Sequence, residues 1–147
     1  MGQVAVREHD SFGTATAEDI ERSALRLGRP LPRDYRDFLL WTNGGRPVNN
    51  VCVAAGTDVH WIFGLNEAPA WSSLWSTIDT YAGRLPADVM PVASDSGGNL
   101  FVLESTGDAG RVLFWDHEAE FDRDGGGPAF VVVASGFAQF LEELVPA

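Results

Sequence analysis

Residues 31–45 read LPRDYRDFLLWTNGG, and the parsing of the whole chain turns on them. A helix is predicted to begin at Pro32, where a missing amide hydrogen costs nothing because first-turn donors have no helical partner. Tyr35, Phe38, Leu39 and Thr42 follow at the spacing of one helical face. Asn43-Gly44-Gly45 then ends the helix, since these residues tolerate the left-handed conformation that turns a chain away from its axis.

Working outward, the upstream stretch AEDIERSALRLG at 17–28 predicts another helix, with Thr14 and Thr16 before it and Glu18 and Asp19 in a first turn that favours carboxylates. Gly28 closes it, and Ile20, Ala24 and Leu27 form its apolar stripe. Downstream, residues 51–55 and 59–65 read as strands, the second with Val59, Trp61, Phe63 and Leu65 on one face and His60 and Ile62 on the other. A helix from about 74 to 82 is capped by Ser72 or Ser73, carries Leu74, Ile78 and Tyr81 at helical spacing, and is ended by Gly83 and Pro86.

The second half predicts a β-meander. Apolar runs at 91–93, 100–104 and 111–117 are separated by turn clusters at 94–99 and 105–110, short enough to make neighbours antiparallel. A loop rich in Asp, Glu and Gly spans 118–128, a last strand spans 130–134, and Ser135 is expected to cap a terminal helix built on Phe137, Phe140, Leu141 and Leu144. The pattern predicts one α+β domain over residues 1–147, a mainly antiparallel β-sheet flanked by about four helices.

The chain has 147 residues, a common size for one domain, and its 45% apolar content is spread along its length. Its formal charge of −11 comes from 21 acidic and 10 basic side chains, all ten of them arginine. That field repels nucleic acid and anionic membranes and attracts cationic partners, although an excess of carboxylate equally serves solubility. The single cysteine, Cys52, lies in the apolar run VCVAA and reads as a packed core thiol. The opening MGQVAVREHDSF lacks the pattern of a secretion signal, position 6 is Val where a myristoylation motif needs Ser or Thr, and no run approaches the roughly 20 apolar residues of a membrane span. A cytoplasmic protein without a direct nucleic-acid or membrane partner is expected.

Four motifs in order carry a resemblance. LGRPLPRDYRDFLLWTNGG, DSGGNLFVLE, GRVLFWDHE and ASGFAQFLEEL are similar to the LP-helix, Gly-Asn turn and strand, tryptophan strand and closing helix of the SUKH superfamily, and together cover most of residues 16–145. Gly136 stands where the family often has a second Ser before Phe137. The resemblance implies a β-sheet flanked by helices. It also implies a scaffold that meets other proteins, because the superfamily includes the yeast cell-wall assembly regulator and many bacterial immunity proteins that neutralise a toxin. A basic toxin, such as a nuclease, would be drawn to a chain of this charge. The alternative from the same resemblance is a regulatory module binding an endogenous protein, and gene neighbourhood separates the two.

Candidate contact residues follow from chemistry without a structural duty. Asp116, Glu118, Glu120, Asp122 and Asp124 alternate carboxylates into a Gly-rich loop, where loop acids can meet a cationic partner or simply stay solvated. The run Gly125-Gly126-Gly127 among aspartates is a poor phosphate cradle. Trp71 and Trp75 are candidate aromatic anchors, while Trp61 alternates with core positions and Trp41 and Trp115 belong to the family motifs. Chemistry of other kinds finds little footing. His9, His60 and His117 lack metal-ligand spacing, Asp116-His117-Glu118 reads as a surface turn, and Asp95-Ser96-Gly97-Gly98-Asn99 reads as a tight hairpin rather than a calcium loop. No catalytic residue, cofactor or metal is predicted.

Neutralising Glu118, Glu120, Asp122 and Asp124 together is expected to slow association with a basic partner and flatten its salt dependence. Stopped-flow association at several ionic strengths measures this, and an unchanged salt dependence excludes the loop.

Overall fold

The computed structural model describes residues 4–105, 110–118 and 130–147. Its largest sheet is antiparallel throughout, in the order β5 (Trp61–Ile62), β6 (Val89–Ser94), β7 (Leu100–Glu104), β8 (Val112–Trp115) and β9 (Phe130–Ala134). Two small antiparallel pairs accompany it, β1 (Val6–Arg7) with β2 (Arg46–Pro47) and β3 (Val51–Cys52) with β4 (Thr57–Asp58). Four α-helices surround the strands: α1 (Ala17–Leu27), α2 (Arg33–Trp41), α3 (Leu74–Thr80) and α4 (Phe137–Glu142). This is the α+β architecture expected from the sequence. Among the described residues no helix is long and apolar enough to cross a membrane.

The alternation of side chains on β7 explains the layering. Leu100 and Val102 face one side with their partners Trp115 and Leu113, and Phe101 and Leu103 face the other with Phe114 and Val112. On the first face Tyr81, just past α3, meets Trp115 edge-on at 5.4 Å. On the second, Phe140 of α4 lies 5.1 Å from Phe101. Both faces of the central strand are therefore covered, and Leu100 to Leu103 are all buried, which is why the run reads as continuously apolar rather than alternating. Helix α2 joins the second layer through Phe38 and Tyr35, whose rings sit 5.5 and 5.2 Å from Phe137.

Helix α1 is capped as its sequence implies. The Thr16 hydroxyl accepts from the Asp19 amide at 3.2 Å, and the Asp19 carboxylate accepts from the Thr16 amide at 2.8 Å. Gly28 ends the helix in the left-handed conformation. The predicted face of α2 is also correct, with Tyr35, Phe38, Leu39 and Thr42 all buried, while Pro32 stands one residue before the first helical position.

Four expectations are corrected. The long strand at 59–65 is shortened to Trp61 and Ile62 in the main sheet, and Thr57 and Asp58, before it, pair back with Val51 and Cys52. The first predicted strand accordingly stops at Cys52, followed by a turn closed by Gly56 donating to the Cys52 carbonyl at 2.9 Å. The cap of α4 is not the Ser135 side chain. The Ser135 amide and hydroxyl both donate to the Gln139 side chain, while the Asp34 carboxylate of α2 lies 3.4 Å from the Ala138 amide in the first turn of α4. Finally, the glycines of the Asn-Gly-Gly motif do not close α2 by a left-handed cap, because Thr42 follows the helix in extended conformation.

They permit a close crossing instead. Gly45 exchanges two backbone hydrogen bonds with Ile62, at 3.0 and 2.8 Å, adding the end of α2 to the edge of β5. A Cβ on Gly44 would stand 2.7 Å from the Ile62 carbonyl oxygen and 2.8 Å from the Gly64 nitrogen.

Gly28 and Gly44 share a φ of +80°, but a Cβ on Gly28 meets nothing within 4 Å. Gly28→Ala is expected to cost about 1 kcal/mol from backbone strain alone, and Gly44→Ala about 3 kcal/mol or more because backbone must also move. Urea unfolding of the two variants measures the difference, and equal losses would show that the crossing is not tightly packed.

Candidate functional site

Trp71 lies in a 3-10 helix, Ala70–Ser72, between β5 and α3. The segment is pinned by hydrogen bonds rather than by apolar packing. The Ser72 hydroxyl donates to the Pro69 carbonyl at 2.7 Å and accepts from the Asn66 amide group at 2.9 Å, and Gly64 exchanges backbone bonds with Ser72 and Leu74. Trp61 and Phe12 support the indole edge-on, with ring centroids at 4.8 and 5.8 Å. Even so, 54% of Trp71 remains exposed.

Trp75 has the opposite fate. It is only 5% exposed, within the core, with the Arg26 guanidinium 4.1 Å above its ring and that guanidinium bonded to Glu67 at 2.8 Å. Its expected role as a surface anchor is thus replaced by a structural one: Ser73 caps α3, and the fourth position after Trp71 falls on the inward face of a new helix. Trp61 and Trp115 are buried as expected, and Trp41 packs against Phe38 and His9 with a third of its surface open.

Beyond β8 the chain enters a polar corner. The Glu118 amide donates to the Asp116 carboxylate at 2.9 Å, and the His117 ring nitrogen Nδ1 lies 2.6 Å from the Asn99 side-chain oxygen. Glu118 is exposed and Asp116 half-buried. Glu120, Asp122 and Asp124 lie outside the described residues.

These two regions border one groove of about 380 Å³, lined by Trp71, His60, Thr80, Tyr81, Ser96 and Gly98 among others. Gly98 forms the link, since a Cβ there would stand 3.5 Å from the His117 ring. Two carboxylates are held at the 95–99 turn, Asp95 in the lining of the groove and Asp58 outside it. Asp95 is buried, and its oxygens accept from the amides of Gly97 and Asn99, the Asn99 side chain and the Thr57 hydroxyl, at 2.8 to 3.0 Å. Asp58 accepts from the Ser96 amide at 3.0 Å and from its hydroxyl. Neither meets an arginine among the described residues. The hairpin reading located Asp95, but nothing near Asp58 announces a partner 38 positions away.

A second depression of about 410 Å³ lies beside α1. Its charged groups satisfy one another, Arg22 with Glu18 and Asp19, and Arg26 with Glu67. Among the described residues no group of three or more His, Cys, Asp or Glu side chains could hold a metal ion. Cys52 is buried, and that burial raises its thiol pKa.

The chain is similar to known proteins. The family model described as SMI1 / KNR4 family (SUKH-1) matches residues 14–143. The chain is also 31% identical to the SPbeta prophage-derived uncharacterized protein YokK of Bacillus subtilis (strain 168), over 88% of this chain and 74% of that protein.

The carboxylates also set a pH dependence. Burial opposes ionisation of Asp58, but the hydrogen bonds from Ser96 outweigh it and leave its pKa below the ordinary value; hydrogen bonds from the Thr16 amide and hydroxyl lower that of Asp19. Groups with a depressed folded pKa add stability that is present above the unfolded value of about 4 and is lost as pH falls through the folded value. Thermal melts from about pH 6 down to about pH 2 are expected to show a falling midpoint below about pH 4, with a shallower fall in Asp58→Asn. A midpoint equally steep in that variant would exclude Asp58 as a contributor.

Proposed function

Because the chain belongs to the SMI1 / KNR4 family (SUKH-1), we propose that it works by stoichiometric protein binding, as an immunity protein that neutralises a cognate bacterial toxin in the cytoplasm. The proposal excludes turnover of a substrate and places the partner among basic proteins, with a nuclease as the leading example.

One observation carries the reading. Trp71 packs edge-on against Trp61 and Phe12 yet keeps more than half its surface open, and it borders a groove that also holds Asp95. Aromatic side chains ordered before binding lose little entropy on contact, and they dominate interface energies when a partner covers them. Folding alone gives no reason to leave such a ring in water.

Two further facts support the reading. A formal charge of −11 steers a basic partner toward the chain and competes for surfaces that otherwise hold phosphates. The relative from Bacillus subtilis is named as prophage-derived, and a gene carried on a mobile element suits a role in conflict between genomes. The mechanism is occlusion: aromatic and acidic groups cover the toxin's active or substrate-binding surface.

Co-expression with the toxin encoded beside its gene is expected to restore growth, and the two purified proteins are expected to form a 1:1 complex whose association slows about tenfold or more between low and physiological salt. The absence of both protection and a complex would overturn the proposal.

A further inference from the structure

The groove beside Trp71 has a composition that selects among partners. Its lining includes the half-exposed indole and Asp95 of the 95–99 turn, whose Ser96 holds Asp58 outside the lining. Both carboxylates are engaged by neutral donors: the hydroxyls of Thr57 and Ser96, backbone amides and the Asn99 side chain. Such bonds orient a carboxylate but bring no positive charge. Among the described residues no arginine lines the groove, and His60 is the one lining residue able to become cationic. A volume of about 380 Å³ is enough for one long side chain and its adjoining backbone.

An apolar ring and carboxylate charge that no arginine among the described residues meets fit a side chain that is flat, partly apolar and cationic. Arginine meets these conditions better than lysine, because its guanidinium is planar, weakly hydrated and stacks on tryptophan while donating hydrogen bonds in its own plane. The protein uses the same pairing internally, where the Arg26 guanidinium lies 4.1 Å above the Trp75 ring and bonds Glu67 at 2.8 Å. Trp71 repeats the aromatic half of that arrangement on the surface, and no cation is seated on it among the described residues.

We propose that this groove takes an arginine side chain of the basic partner protein, with its stem and guanidinium plane against Trp71 and its charge toward Asp58 and Asp95. The assignment rests on the reading of the chain as a binder of a basic protein and adds the group that is recognised. Trp71 is the stacking surface, and the 95–99 turn supplies the field.

The test separates the two levels. The intact chain is titrated with the capped tripeptide Gly-Arg-Gly while the Trp71 indole N–H resonance is followed, with the lysine tripeptide and its uncharged citrulline counterpart as controls. Arginine is expected to shift the resonance and to bind about tenfold more tightly than citrulline, with lysine weaker than arginine. Equal binding of arginine and citrulline overturns the proposal. Trp71→Ala removes the ring together with its contacts to Trp61 and Phe12, so Thr80→Arg is the second variant: it places a guanidinium at the groove from α3 while leaving Trp71 unaltered. With an unchanged melting temperature it is expected to abolish the tripeptide shift and to weaken the toxin complex about tenfold or more. An undiminished toxin complex in Thr80→Arg overturns the assignment while leaving toxin binding intact, whereas arginine selectivity in the titration without any toxin complex upholds the groove and defeats the immunity reading alone.

Discussion

The Asn43 side chain holds together three stretches of backbone that have no other reason to meet. Its amide group donates to the Gly13 carbonyl at 3.1 Å, its oxygen accepts from the Leu65 amide at 2.7 Å, and its own backbone amide donates to the Asp10 carboxylate at 2.7 Å. The residue is buried, so each of these groups would cost on the order of 1–3 kcal/mol if left without a partner. The approach to α1, the end of α2 and the exit from β5 are joined at one residue. Gly64 completes the joint, since a Cβ there would lie 2.5 Å from the Asn43 carbonyl oxygen.

From that joint the placement of the groove follows. The chain leaves β5 through Gly64 and Leu65 and enters the segment that carries Trp71, while Phe12, which supports the indole, precedes the Gly13 carbonyl that Asn43 holds. Tyr35 adds a second fastening from α2, donating to the Phe63 carbonyl at 2.6 Å, and burial keeps its phenol protonated by raising its pKa far above the usual range. The backbone on both sides of the indole is therefore tied by buried and part-buried hydrogen bonds. The indole's own burial contributes less.

The parts legible in the sequence are those whose determinants are local. Thr16 and Asp19 are three residues apart, Asp95 and Asn99 four, and the apolar face of α2 repeats within a single helix, so each can be read from a short window. The parts that were misread depend on distant partners. Asp34 serves a helix 104 positions away, and Asp58 is tied to Ser96 across 38. Trp71 and Trp75 differ for a related reason. A spacing of four puts two residues on one face only if a single helix contains both, and here a 3-10 turn and the cap at Ser73 intervene. The Asn-Gly-Gly motif was legible as a stopping point, but its physical purpose, a backbone crossing with no room for a Cβ, needs the second strand to be seen.

The segment from Asn66 to Ser73 stitches itself together through backbone groups and the side chains of Asn66, Ser72 and Ser73. Trp71 contributes its ring to the surface without supplying any of those stitches. The scaffold and the reading head are in this sense mechanically decoupled: the identity of the side chain at position 71 can change while the loop that presents it keeps its shape. If the proposed function holds, specificity could be exchanged at such a position at little risk to folding.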